Sequence, residues 1–143
     1  MENMTLIVNN AIAWAEAHLG SKAYNGMCLS FIEDAVEESN HLELWGGSSA
    51  AESASLYHAE EHTGVPDKGA FVFYRCSGMA DGEKVDWGHC GLCIGDGRII
   101  HAYGEVRVDD YLAVEKLTPP PTWEPNAYIG WAPLETVLAY RDE

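Results

Sequence analysis

A chain of 143 residues that is 47% hydrophobic is sized for one domain with a core of its own, and it contains no apolar run long enough to span a bilayer. Eight Lys and Arg against 23 Asp and Glu give a formal charge of -15, which argues against nucleic acid as a partner, because phosphate binding draws its free energy from cations that displace counterions. The same charge disfavours tight adhesion to anionic membranes or anionic wall polymers, and is otherwise that of a well-solvated surface.

The opening Met1-Glu2-Asn3-Met4-Thr5 has neither the basic start nor the small-residue cleavage site of an export signal, so synthesis in the cytoplasm without a signal peptide is expected. Thr5 is placed to cap a first helix over residues 5–19, with Ile7, Ala11, Trp14, Ala15 and Leu19 on one face and Gly20 as its stop. Asn25 is the expected cap of a second helix whose apolar stripe is Cys28, Phe31, Ile32, Ala35 and Val36, with Glu33, Asp34, Glu37 and Glu38 facing water. Residues 44–63 turn to small side chains and read as an inserted surface element with a short helix. From Gly69 the pattern becomes that of strands, at 70–74, 87–94, 98–103 and 105–108. Gly95-Asp96-Gly97 predicts a hairpin that makes the second and third of these antiparallel neighbours. Pro119-Pro120-Pro121 forces an extended connection to a last strand at 128–131 and a closing helix at 134–140. Helices first and a strand meander second make an α+β fold over 1–143, and no internal repeat is present.

Four cysteines without an export signal read as reduced thiols. Cys28 falls in the first turn of its helix, where unpaired N–H groups and the helix dipole favour a thiolate, although a small buried core cysteine is the plain alternative. A nucleophilic thiol needs an imidazole in reach and a third group to fix that imidazole's tautomer. Strand alternation puts His89, Gly91 and Cys93 on one face and Cys90, Leu92 and Ile94 on the other, with His101 opposite in direction to Ile100 and Ala102. With the apolar sets in the core, both histidines are expected on a functional face. A tight turn would set His101 across from Leu92, three residues from His89, so a bulge or strong twist must close the gap.

Cys28 at a helix start, then Gly69-Ala70-Phe71-Val72-Phe73, then Gly88-His89-Cys90-Gly91-Leu92-Cys93-Ile94-Gly95-Asp96-Gly97-Arg98-Ile99-Ile100-His101-Ala102 resembles the NlpC group of papain-like cell-wall cysteine peptidases, over most of residues 24–131. The resemblance implies a papain-like α+β domain in which the Cys28 helix packs on an antiparallel sheet of about five strands. It also implies peptidoglycan stem peptides as the partner, Cys28 as nucleophile, His89 as base and His101 as the residue that orients it. Tyr24 stands where such proteins often have a cleft-lining tyrosine, and Trp87 is a second candidate wall; plain packing is the alternative for both. Met27-Cys28-Leu29-Ser30 departs from the family's Asp-Cys-Ser-Gly. A D,L-endopeptidase cut therefore stands beside an amidase cut next to muramic acid and a cross-bridge cut as in the related CHAP domains.

Cys90-x-x-Cys93 with Cys76, His89 and His101 could also be drawn as a zinc site, which would make this a metal-stabilised binding domain. Residues three apart on a strand face opposite ways, so Cys90 is expected in the core, Cys93 near the cleft, and no metal or other cofactor in the chemistry. A catalytically inactive wall-binding relative is the remaining alternative. Action on the wall requires release or delivery through phage lysis, a phage tail, a toxin secretion system or a longer protein that carries this domain.

Overall fold

In the computed structural model, which describes residues 3–141, the helices lead and the strands follow, with one short helix closing the chain. Residues 1–2 and 142–143, the ends of the expected 1–143 domain, lie outside that range. Helix α1 (Met4–Glu16) begins ahead of Thr5 because the extended Asn3 caps it, its side chain accepting from the Leu6 N–H at 3.3 Å. A residue already inside the helix cannot take that role. The helix stops at Glu16 and turns follow to Gly20, whose N–H donates to Val106 O at 2.9 Å; Leu19 is left exposed and Ile12 replaces it in the buried stripe with Ile7, Ala11 and Ala15.

Helix α2 (Cys28–Asn40) buries Phe31, Ile32, Ala35 and Val36, as their spacing requires. Its cap position is held by Met27, not Asn25, and no side chain caps it. Only Glu38 of the four expected surface acids is fully exposed. Glu37 turns inward to accept the Leu44 N–H at 2.8 Å. Burial, with the charges of Glu37 and Asp34 added to it, pushes the Glu33 carboxyl up to about 7.

Residues 44–63 are not a surface insertion. Ser49 caps helix α3 (Ala50–Leu56) through the Glu52 N–H at 3.1 Å, a 3-10 turn (Ala59–Glu61) follows, and Ala50, Ala54, Tyr57 and Ala59 all enter the core. Small residues are what allow this segment to lie directly on the sheet.

Strand β1 (Phe71–Arg75) is followed by a separate hairpin, β2 (Ser77–Ala80) and β3 (Glu83–Asp86), and then by β4 (His89–Gly95), β5 (Arg98–Tyr103), β6 (Glu105–Asp110) and β7 (Ala127–Ala132). Five of these make one antiparallel sheet in the order β6-β5-β4-β1-β7, so the fold is α+β with helices packed on a five-stranded sheet, as expected. A short closing helix α4 (Leu134–Ala139) packs Leu134 and Val137 into the core. Among the described residues no helix is long and apolar enough to cross a membrane.

Both sheet faces are covered. On one, Phe71, Phe73, Cys90, Leu92, Ile100 and Ala102 meet the helices. On the other, Val72, Tyr74, Cys93 and Ile99 pack beneath Val114, Leu117 and Tyr128 in a second, smaller core. The face expected to carry the histidines as a functional surface is therefore largely filled by this second core.

Candidate active site

Met27 carries no capping side chain, and the first backbone bond that closes a turn of α2 runs from the Phe31 N–H to Met27 O at 3.0 Å. The Cys28, Leu29 and Ser30 amides precede that bond and lie on the wall of an open cleft of about 1330 Å³. Cys28 itself is half-buried and lines the cleft, as does His89 at the start of β4. The Cys28 thiol is held well below its ordinary range first by the hydrogen bond from the Cys90 thiol and then by the His89 ring and the Cys90 backbone N–H, which together outweigh burial. All four cysteines are free thiols, and burial pushes Cys76, Cys90 and Cys93 upward, so Cys28 is the one whose thiol is shifted toward the thiolate.

The ring of His89 donates from Nε2 to His101 Nδ1 at 2.7 Å, and His101 donates from Nε2 to Asp109 Oδ2 at 2.8 Å. The direction of this chain follows from its end: an ionised carboxylate can only accept, so each imidazole in turn must donate toward it. The nitrogen left to His89 for Cys28 is Nδ1. Asp109 is also held by Arg107, from Nε at 2.8 Å and Nη2 at 3.2 Å. Burial first, then the charge of His89, pushes His101 down to about 4 against the pull of Asp109, so His101 is a neutral relay at neutral pH and the formal ion pair of Asp109 is with Arg107.

A register shift between Cys93 and Gly95 supplies the expected bulge and pairs Leu92 with Ile100, not with His101. His101 thereby comes level with Gly91, two residues from His89 on the same face. A Cβ on Gly91 would lie 2.2 Å from Ile99 Cγ2 and 3.0 Å from His101 Cβ, so the glycine makes the room through which His101 reaches His89.

Trp87 lines the cleft at 55% exposure, with its ring 5.6 Å from that of Trp123. Tyr24 does not line it. Its ring packs against Phe31, Trp14 and His18, and its hydroxyl donates to Asp34 Oδ2 at 2.6 Å, which ties it to the junction of α1 and α2 behind the nucleophile. Cys93 is not near the cleft either; it is buried in the second core and its thiol donates to Pro66 O at 3.6 Å. The zinc alternative fails on the same alternation: Cys90 and Cys93 lie in different cores, and among the described residues the one group of three metal-capable side chains is the exposed His58, Glu60 and Glu61.

Asp109 and Arg107 were not foreseen. The strand carrying them was expected to end at Val108, one residue short of the carboxylate, yet the alternation of Glu105, Arg107 and Asp109 with Val106 and Val108 already put those charges on one face.

No protein-family model matches this chain, and no curated protein matches it. Among solved structures, NlpC1 from Trichomonas vaginalis is similar, with a TM-score of 0.49 and 18% identity over 92% of this chain and 46% of that one. The chain thus spans about half the length of that protein.

Proposed function

We propose that this chain is a cysteine peptidase that cleaves an amide bond in the stem peptide of bacterial peptidoglycan, a D,L-endopeptidase cut, with Cys28 as nucleophile, His89 as acid and base, and His101 as the residue that positions His89. The observation that carries this reading is the low-pKa Cys28 thiol at an uncapped helix start, against a histidine whose far nitrogen is tied through His101 to Asp109. In this mechanism the Cys28 proton passes to His89 Nδ1, which leaves the negative charge on Cys28 Sγ. The thiolate attacks the carbonyl carbon, and the oxyanion meets the free amides at the start of α2, a term usually worth about 3 kcal/mol of barrier per donor. His89 gives its Nδ1 proton to the leaving amine. It then takes a proton from the water that opens the thioester. Trp87 forms one wall of the substrate groove. The substrate is reached by release or delivery, as part of a lysis, phage-tail or secretion assembly.

Purified peptidoglycan of the diaminopimelate and lysine types, digested with wild type and with Cys28→Ala and read by mass spectrometry of the fragments, tests this. Wild type is expected to release peptides and the variant none, and the new termini separate an endopeptidase from an amidase next to muramic acid or a cross-bridge cut. No release from either wall would defeat the reading. Iodoacetamide isolates the catalytically inactive alternative: Cys28 should alkylate faster than Cys76 and Cys90 near neutral pH, and slow, uniform labelling would identify a binder without chemistry.

A further inference from the structure

One hydrogen bond fixes one atom of a ring and leaves the rest free to swing about it. His89 is held at Nε2 by His101, yet it is only 5% exposed, so other side chains confine it as well. Two tyrosines supply that confinement. On β1, Tyr74 is paired with His89 across the strands, and their ring centroids lie 6.0 Å apart at 41°. On β5, the pairing of Leu92 with Ile100, continued outward, sets Tyr103 level with His89, and those centroids lie 5.6 Å apart at 79°. Side chains level with one another on an antiparallel sheet share a face. His89 therefore has a phenol ring on each flank, the buried Tyr74 on one and Tyr103, which lines the cleft, on the other.

Neither hydroxyl is spent on the imidazole. Tyr74 donates to Tyr111 O at 2.7 Å and Tyr103 to Thr118 O at 2.6 Å, so the far end of each ring is pinned to the connection between β6 and β7. Burial raises both phenols above their ordinary range, so each stays a donor at neutral pH. The carbonyl that Tyr103 takes precedes Pro119-Pro120-Pro121, which have no N–H with which to hold that segment themselves. A ring packed on the imidazole with its hydroxyl anchored elsewhere is placed as a support and not as a proton donor. We propose that Tyr74 and Tyr103 are positioning residues for His89, a clamp of two rings on the neighbouring strands that stops the imidazole from swinging about its bond to His101 and so keeps its other nitrogen turned to Cys28. The clamp serves the thiol–imidazole pair proposed above and has no part to play without it.

The pH profile of Cys28 alkylation reads that pair without any substrate. The whole chain and its variants are treated with iodoacetamide between about pH 4 and about pH 9, and the Cys28 peptide is followed by mass. Wild type is expected to react with a midpoint below that of a free thiol. In Tyr103→Leu, and in Tyr103→Met should leucine fail to fold by circular dichroism, the midpoint should rise by about one unit, which cuts the rate on its acid side about tenfold. Tyr103→Phe keeps the ring and loses only the bond to Thr118, so it should retain the wild-type profile, and Tyr74→Phe should do the same. Leucine and methionine variants that titrate like wild type would overturn the clamp. So would phenylalanine variants that shift as far as leucine, since the hydroxyls and not the rings would then be the support. If wild-type Cys28 itself titrates as a free thiol, the thiol–imidazole pair and the clamp fall together. A lowered wild-type midpoint that rises in Tyr103→Leu, beside a negative wall digest, would sink the peptidase and leave the clamp standing.

Discussion

Asp109 decides what the two histidines can do. With its carboxylate at the end of the chain, His101 must present a bare Nδ1 to His89, and His89 must keep Nδ1 for the sulfur. In Asp109→Asn the amide can donate to His101, which then donates to His89 Nε2 and leaves the His89 proton on Nδ1, so that the ring cannot take the proton of Cys28. If the chain is the proposed peptidase, steady-state kinetics on a stem peptide should show kcat lower by about 10⁴-fold with KM little changed, the scale expected when an orienting carboxylate becomes an amide; a loss confined to KM would remove Asp109 from the relay. His101 also leaves a mark on stability. Its pKa falls from an ordinary 6.5 in the unfolded chain to about 4 in the fold, so between those values the unfolded state holds more protons and stability rises with pH. The contribution is complete above 6.5 and lost as pH falls through 4, and its full size is on the order of 3 kcal/mol. Glu33 works the other way, since its raised carboxyl costs stability as pH climbs toward 7. Urea unfolding of wild type and His101→Gln at about pH 7 and about pH 5 should therefore find the acid-side slope smaller in the variant; equal slopes would mean that His101 is protonated in the native state. Cys28, His89 and His101 were legible because each belongs to a local pattern, a helix start or a strand beside a Gly-Asp-Gly turn. Asp109 was not, because its role is set by the pairing of His101 with Arg107 across two strands, which places Asp109 diagonally beside the ring.

Strand β4 shows how an element is shaped by the site it carries. Its bulge after Cys93 moves the pairing by one residue, and Gly91 clears the lane between the two imidazoles. Gly91→Ala would press on His101 Cβ and on Ile99, neither of which is a flexible chain end, so thermal unfolding should report a loss of about 1–3 kcal/mol. Cys28 alkylation at neutral pH should slow in the same variant as His101 is pushed from His89; unchanged alkylation would show that the relay tolerates the displacement. Gly88 meets a related constraint, with φ at 74° and α3 so close that a Cβ would lie 2.6 Å from Ala51 N. The Ala51 N–H donates to Trp87 O at 2.9 Å, so this small-residue segment braces the strand start that presents His89. Periodicity revealed α2 and the main strands because their buried residues recur at the helix or strand repeat. It concealed the role of residues 50–59, whose core contacts are made, apart from Tyr57, by alanines that a hydropathy pattern scarcely weighs. The β2–β3 hairpin was hidden for the opposite reason: Asp81-Gly82 is a strong turn signal, but the flanking Glu83, Lys84 and Asp86 are exposed and give no alternation.

At the scale of the molecule, the sheet is a partition. The helices carry Cys28 on one side, residues of the β6–β7 connection cover the other, and Cys28 and His89 both line the cleft at the start of β4. The cleft is not a copy of the acidic surface around it. Of the chain's eight Lys and Arg, Lys22 and Arg107 line it, as do Glu33 and Glu105, and Arg107 is already paired with Asp109. On the proposed function, local attraction of Lys22 for a substrate carboxylate is set against long-range repulsion between a chain of formal charge -15 and an anionic wall. The two differ in range, and salt separates them. Raising the salt from about 0.01 M to about 0.15 M shortens the screening length from about 30 Å to about 8 Å, which removes the repulsion between whole surfaces while sparing contacts inside the cleft. The release rate from intact walls is therefore expected to rise severalfold across that range, while cleavage of a small soluble stem peptide stays nearly flat. A wall rate that falls with salt would mean that the cationic side of the cleft, and not the net charge, governs the approach to substrate.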